Sequence, residues 1–317
     1  MRRRIIRTLP RLQPTLDDIP IALHQHRRQL LADLSQAIET RQQLRLEYQP
    51  RIDLQINRCV GAEALLRWRH PVFGPLPPAD FIPIAESDPV IVPLTDWVLD
   101  TAVAFAASVA RANRQIRISV NISPKNLTAG YFVGRLVEAL GRHNLDPVNL
   151  ELEFTESALI SDGKRTRQQL DQIRRMGVSV SIDDFGAGYS NLSYLRQVPA
   201  DIIKIDRKLV SAIGADREND TIVKWIIGLA NELGLRVVAE GIDTDQKATT
   251  LASWGCHEGQ GFALATPMAQ VKLVSWIERY NCLAGDDRVI RLPFSRRKNN
   301  ASHLAHPALP AKAAVIG

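Results

Sequence analysis

Between Leu44 and Phe262, about eight short β-rich segments recur, mostly separated by stretches long enough for a helix. They are Leu44–Leu54, Cys59–Arg69, Ile116–Ile122, Leu150–Thr155, Val178–Asp183, Asp201–Ile205, Arg236–Glu240 and Gly255–Phe262. A sandwich or a helical bundle does not produce this rhythm, and the count fits a closed α/β barrel of the (β/α)8 type better than an open sheet. In such a barrel the strand ends converge on one mouth, so the side chains that end these segments are brought together.

Three segments carry a strict two-residue alternation. Ile116, Ile118 and Val120 interleave with Arg117, Ser119 and Asn121. Leu150, Leu152 and Phe154 interleave with Glu151, Glu153 and Thr155, and Val178, Val180 and Ile182 with Ser179, Ser181 and Asp183. A solvated antiparallel sheet would alternate in the same way. The crossover spacing instead assigns the apolar face to the outer helices and the polar face to the barrel interior. Arg117 and Glu151 then lie inside, and because a buried guanidinium needs a counter-charge, the two are expected to pair.

The ends of the chain differ from its middle. Leu30, Leu31, Leu34, Ala37 and Ile38 have helical spacing, so the compact domain is read as residues 29–276. Residues 1–28 form a basic extension expected to be flexible, and 277–317 a basic tail expected to be disordered. The net charge of +6 belongs to these ends. Eight Arg face four acids over 1–41 and six Lys/Arg face two acids over 284–317, leaving the middle at −2. That distribution argues against DNA or RNA as a partner of the main domain. A hydrophobic share of 45% supports a sizeable core. Cys59, Cys256 and Cys282 are far apart and form no CxxC pair, which suggests neither a disulfide framework nor a thiolate metal site and suits a reducing cytoplasm. No apolar run reaches the ~18 residues of a membrane span, and the Arg-rich opening lacks a secretory apolar stretch, so no membrane insertion is expected.

Acids and amides close strand after strand: Glu63, Asn121, Glu153, Asp183 with Asp184, and Glu240, joined by Lys204 and Gln260. So many carboxylates in one mouth repel each other unless divalent cations neutralise them. An oxygen-only ligand set favours Mg2+ or Mn2+ over zinc. Two such ions sharing a carboxylate are the arrangement that splits phosphate esters. Any one of these acids has a plainer explanation as a surface charge, and Glu86 and Glu156 each read equally well as caps of the following helix. The inference rests on their joint placement. Rival motifs fail: Asn191 stands where a dinucleotide fingerprint needs its third Gly, Ala158 where a phosphate loop needs its first, and no GxSxG elbow occurs. His70 and His257 are read as structural residues near the mouth.

At Gly61-Ala-Glu-Ala-Leu-Leu-Arg-Trp68 the sequence resembles the EAL-domain family, which hydrolyses the bacterial second messenger cyclic di-GMP. The resemblance continues through Tyr48-Gln-Pro50, Phe81–Glu86, Val120–Ser123, Glu151–Glu156, Asp183–Ser190, Lys204-Ile-Asp206, Val238–Gly241 and Gln260-Gly261, spanning about residues 29–276. It implies a modified TIM (β/α)8 barrel with one antiparallel strand, the first, and two Mg2+ or Mn2+ ions. Carried over by position, Glu63, Asn121, Glu153 and Asp183 look like metal ligands, with Asp183 bridging to a second ion served by Asp184. Lys204 and Glu240 are the alternatives for deprotonating or orienting the attacking water, supported by Gln260. Gln49, Arg67, Pro83 and Asp243 are implied substrate contacts, Arg67 through a phosphate, and Glu156 the anchor of the loop Asp183–Ser190. Ala187, Asn191, Asp243 and Pro89 depart from the family pattern, and none of them removes a ligand. The expected activity is a cytoplasmic cyclic di-GMP phosphodiesterase yielding linear pGpG, with a homodimer possible through the helix beginning near Asn191. The alternative is a weak or inactive domain that acts as a cyclic di-GMP receptor or protein-interaction module.

Overall fold

The computed structural model describes residues 21–112, 116–156, 163–186 and 198–283. The chain opens with α1 (Ile21–Thr40), then β1 (Leu44–Asp53) and β2 (Arg58–His70), an antiparallel hairpin. Asp53 accepts from the amides of Gln55 and Ile56, and Asn57 takes the left-handed conformation (φ 52°) that closes the turn. There follow β3 (Gly74–Leu76), α2 (Pro78–Glu86), α3 (Ile91–Arg111), β4 (Arg117–Asn121), α4 (Pro124–Thr128), α5 (Phe132–His143) and β5 (Leu150–Thr155). Next come α6 (Gly163–Arg175), β6 (Ser179–Phe185), β7 (Ile202–Ile205), α7 (Arg207–Ser211) and α8 (Arg217–Glu232). The chain continues through β8 (Arg236–Ala239), α9 (Asp245–Ser253), β9 (Glu258–Gly259), β10 (Met268–Ala269) and α10 (Gln270–Leu283).

Eight strands close the barrel in the order β1-β2-β4-β5-β6-β7-β8-β9 and back to β1. All neighbours are parallel except β1, which runs antiparallel to both β2 and β9. The expected modified barrel with one reversed strand is therefore the fold. Strand alternation divides the side chains as the sequence predicts. Ile118, Val120, Leu150, Leu152, Phe154, Val180 and Ile182 are buried in the apolar layer. Each such side chain contributes about 1.5–3 kcal/mol on full burial.

The opposite face fills the interior with charge. Arg51, 1% exposed, donates both Nη atoms to Glu151 at 2.9 and 2.6 Å, while its Nε lies 2.6 Å from Glu258. The expected Arg117–Glu151 pair is present at 3.6 Å, at the rim of this cluster. Glu151's main partner is Arg51.

Two details differ from expectation, the bounds of the terminal helices and the apolar character of α3. The first helix starts at Ile21 and the last ends at Leu283, so helix extends beyond both 29 and 276. Residues 1–20 and 284–317, where the flexible extension and disordered tail were expected, lie outside the described residues. Helix α3 is long and apolar enough on average to cross a membrane (mean hydropathy 1.3), because Asp96 and Asp100 interrupt but do not offset its aliphatic run. It is 61% buried in that stretch, as a core helix should be.

Candidate active site

The mouth at the C-terminal ends of the parallel strands is built around Lys204 of β7. Its Nζ lies 2.7 Å from Glu153 of β5, 2.7 Å from Glu240 after β8, 3.1 Å from Asp183 of β6 and 3.7 Å from Glu63 of β2. Asn121 of β4 donates to Glu63 Oε1 (2.8 Å), and Gln260 after β9 donates to Glu63 Oε2 (2.5 Å) and to Gln49 of β1 (3.3 Å). Register explains the last group: Gln49 lies directly opposite Glu63 in the hairpin. A register irregularity in β6 between Ile182 and Phe185 coincides with Asp184 at φ 55°, a left-handed conformation in a non-glycine residue. Oxygens of Asp183, Asp184 and Glu240 come within 4.8 Å of one another.

Electrostatics at this mouth are extreme. Burial depresses the charged form of Lys204, but Asp183, Glu153, Glu240 and Glu63 outweigh it and hold the ammonium well above the ordinary lysine range. Burial, reinforced by the neighbouring carboxylates, pushes Glu153 well up and Glu240 to about 8 against the pull of Lys204. Asp184 is raised to about 6 by burial and by Asp183 and Asp206. Glu63 moves the other way: burial opposes ionisation, yet Lys204 and the amides of Gln260 and Asn121 prevail.

The side chains present fit divalent cations. Among the described residues, Glu63, Glu153, Asp183 and Glu240 meet one ammonium and Asp184 joins Asp183 and Glu240, leaving four negative charges uncompensated when all are ionised, which two divalent ions would balance. Glu153 Oε1 and Gln260 Oε1 are buried without a hydrogen-bond partner, acceptors turned to no donor. The donor set is oxygen-rich and free of thiolate and imidazole, as hard ions require.

A cavity of about 390 Å³ adjoins the mouth, lined by Arg67, Pro83, Glu86, Asn121, Glu153 and apolar residues of α2 and α3. Arg67 donates through Nε to Glu47 at 2.8 Å and is about a quarter exposed, aiming a guanidinium along the cavity wall. The structure thus brings together Gln49, Glu63, Asn121, Glu153, Asp183, Asp184, Lys204, Glu240 and Gln260, with Arg67 and Pro83 beside them. It does not bring Asp243 into this group, since that carboxylate is half-exposed and paired with Lys247 at 2.8 Å. Glu156 follows the end of β5, while residues 187–190 of the loop it was expected to anchor lie outside the described residues.

Neither histidine belongs to the mouth. His70 Nδ1 accepts from the amides of Val72 and Phe73 while Nε2 faces Asp33 at 3.0 Å, so its ring is satisfied against α1. His257 accepts from the Val237 amide, next to the start of β8 and at the opposite end of the barrel from Glu240. Sequence reasoning missed Glu47 and Arg51. The signal was available, because Arg45, Glu47, Gln49, Arg51 and Asp53 alternate along β1 as polar residues do along β4 and β5.

Fold and site define a reversed-strand (β/α)8 barrel with an acidic mouth whose side chains fit divalent cations. Residues 31–267 match the EAL domain, and the chain belongs to the EAL-domain family. It is 43% identical over 250 residues to a cyclic di-GMP phosphodiesterase of Pseudomonas aeruginosa, covering 79% of this chain and 43% of that one. It is 40% identical over 252 residues to the bifunctional diguanylate cyclase/cyclic di-GMP phosphodiesterase MucR of the same organism, covering 79% of this chain and 37% of MucR. The chain thus spans about two fifths of the length of these relatives. The solved MucR phosphodiesterase in complex with c-di-GMP superposes with a TM-score of 0.74 at 41% identity, over 77% of this chain and 99% of that one. The EAL enzyme Bd1971, bound to cAMP and cyclic di-GMP, gives 0.76 at 32% identity, over 80% of this chain and 69% of that one.

Proposed function

We propose that the protein hydrolyses cyclic di-GMP to linear pGpG with two Mg2+ or Mn2+ ions at the barrel mouth. One observation carries the reading: four carboxylates converge on Lys204 within 3.7 Å, in a family whose relatives are named for this activity. Glu63, Asn121, Glu153 and Asp183 would hold one ion, and Asp183 with Asp184 the second. Bound there, the ions would supply Lewis acidity toward the phosphodiester and lower the pKa of water. Arg67 orients a phosphate by its fork of donors, released from Glu47, while Gln49 and Pro83 pack the nucleotide against the cavity wall. Water oxygen bonds to phosphorus as the P–O3′ bond breaks, leaving a 5′-phosphate and a 3′-hydroxyl. Ionised Glu240 takes up the proton of the attacking water and returns it to the departing O3′, while Lys204, held as the ammonium, orients the water and meets charge building on the phosphoryl oxygens.

Gln260 keeps Glu63 in its orientation. Asp243 reaches the substrate only by leaving Lys247, and Glu156 anchors the loop after Asp183. The barrel acts in the cytoplasm without nucleic acid or membrane insertion, with a homodimer as a candidate assembly, and residues 277–283 serve it as part of α10, where Ile277 is buried. Incubation of purified protein with cyclic di-GMP and Mn2+, followed by chromatography, is expected to give pGpG. Tight nucleotide binding with no pGpG would overturn the enzyme reading in favour of a receptor.

A further inference from the structure

Arg51 lies below the carboxylate mouth and touches none of its members. It is 1% exposed, yet it holds both oxygens of Glu151 on β5 and faces Glu258 on β9 at 2.6 Å. Strand β9 is a ladder neighbour of β1, whereas β5 is not, so the guanidinium braces the barrel across its interior. Two residues further toward the mouth, the same strands present Glu153 and Gln260. The antiparallel β1 itself presents Gln49 two residues from Arg51.

We propose that Arg51 is a positioning residue for the cation site: by clamping Glu151 and Glu258 it fixes how far β5 and β9 carry Glu153 and Gln260 into the mouth. The inference rests on the cation-binding reading above and concerns what makes that site stiff enough to work.

Three observations support it. Strand β9 is only Glu258–Gly259, and the backbone ladder continues through Gln260 to Ala239 and Ile242, so Glu258 is the side chain through which Arg51 grips the segment that carries Gln260 to Glu63 and Gln49. The hairpin is shaped around the guanidinium. Gly61 lies directly opposite Arg51, and a Cβ there would sit 2.8 Å from the Arg117 carbonyl and 3.3 Å from Arg51 Nε and Nη2. The β1–β2 register also shifts at Arg51/Ile52, where the clamp is seated. Finally, replacing a buried ion cluster by apolar side chains of similar size is often neutral or stabilising, so fold stability is a weak reason for this one and fixed geometry a better one. Its outer members are half-solvated: Arg236, 43% exposed, meets Glu258 at 2.7 Å, and Arg117 is 25% exposed.

The test replaces the clamp with apolar groups, Arg51→Met, Glu151→Leu and Glu258→Met together, in the full chain. Calorimetric titration with Mn2+ and thermal melting are read side by side. Expected is a melting midpoint near that of the wild type, with Mn2+ affinity lowered roughly 10- to 100-fold, the range for removal of outer supports of metal ligands. Arg51→Lys, which keeps the buried charge but not the fork, is expected to fall between the two and decides the matter if the triple variant does not fold. Mn2+ isotherms that superpose on the wild type in every folded variant would overturn the proposal while leaving the cation site intact. A wild-type chain that binds no Mn2+ would overturn the cation reading, and the proposal with it.

Discussion

Lys204→Met removes the one cation at the centre of the mouth and leaves the carboxylates facing each other. The Nζ contacts run from 2.7 to 3.7 Å. At an effective dielectric constant near 20, each is worth about 4–6 kcal/mol before desolvation is counted. Most of that gross attraction is offset, because the ammonium is 1% exposed and has lost its hydration. The net effect of stripping the partner from buried charges is about 3–5 kcal/mol. With a shift of ~2–4 °C per kcal/mol for a domain of this size, the variant is expected to melt roughly 6–20 °C below wild type in EDTA. Divalent cations reverse the sign of the problem. They bind the folded mouth and stabilise it by about 2.7 kcal/mol at 100 times their Kd, so Mn2+ recovers a large part of the loss. Mn2+ is expected to raise the melting point more in the variant than in the wild type, since the variant has more charge to neutralise. Differential scanning calorimetry in EDTA and in Mn2+ measures both. Equal melting of variant and wild type in EDTA, or no response to Mn2+ in either, would refute the electrostatic account of the mouth.

Glu63→Ala and Asp183→Ala should each abolish pGpG formation while leaving far-ultraviolet circular dichroism unchanged; turnover at the wild-type rate in either variant contradicts the assigned ligands. Gly61→Ala sets a Cβ 2.8 Å from the Arg117 carbonyl and is expected to cost about 1–3 kcal/mol in denaturant unfolding, against near-neutrality if the hairpin has slack. Glu151 gives a pH signature. Burial opposes its ionisation, but the Arg51 charge and fork hold its pKa below the ordinary 4.5, so its stabilising contribution is complete above that value and is lost as pH falls through the lowered one. The stability gap between wild type and Glu151→Gln should therefore narrow as pH is lowered below about 4.5, and a gap that stays constant argues against the pairing.

Much of this site was legible because barrel strands place one polar residue in two on the same side, so Glu153, Asp183 and Asn121 announce a mouth before any fold is known. The Arg117–Glu151 pair followed from the same alternation. Arg51 escaped because β1 is the reversed strand. Its polar face runs toward the floor as the sequence advances, and direction cannot be read from alternation alone. His257 was expected near the mouth because β9 has only two residues, too few for a period to fix which end of the barrel it occupies. The early start of α1 was missed for a different reason: Ile21 and Leu23 are too few apolar residues before Leu30 to show a helical period. Asp184's left-handed backbone has no sequence signature beyond a pair of adjacent acids.

Manganese itself offers the most direct test of the central claim. Crystals grown with Mn2+ and a non-hydrolysable cyclic di-GMP analogue, measured at the manganese absorption edge, are predicted to give two anomalous peaks, one on each side of the Asp183 carboxylate. Full-strength data with no peak among Glu63, Glu153, Asp183 and Asp184 would contradict it.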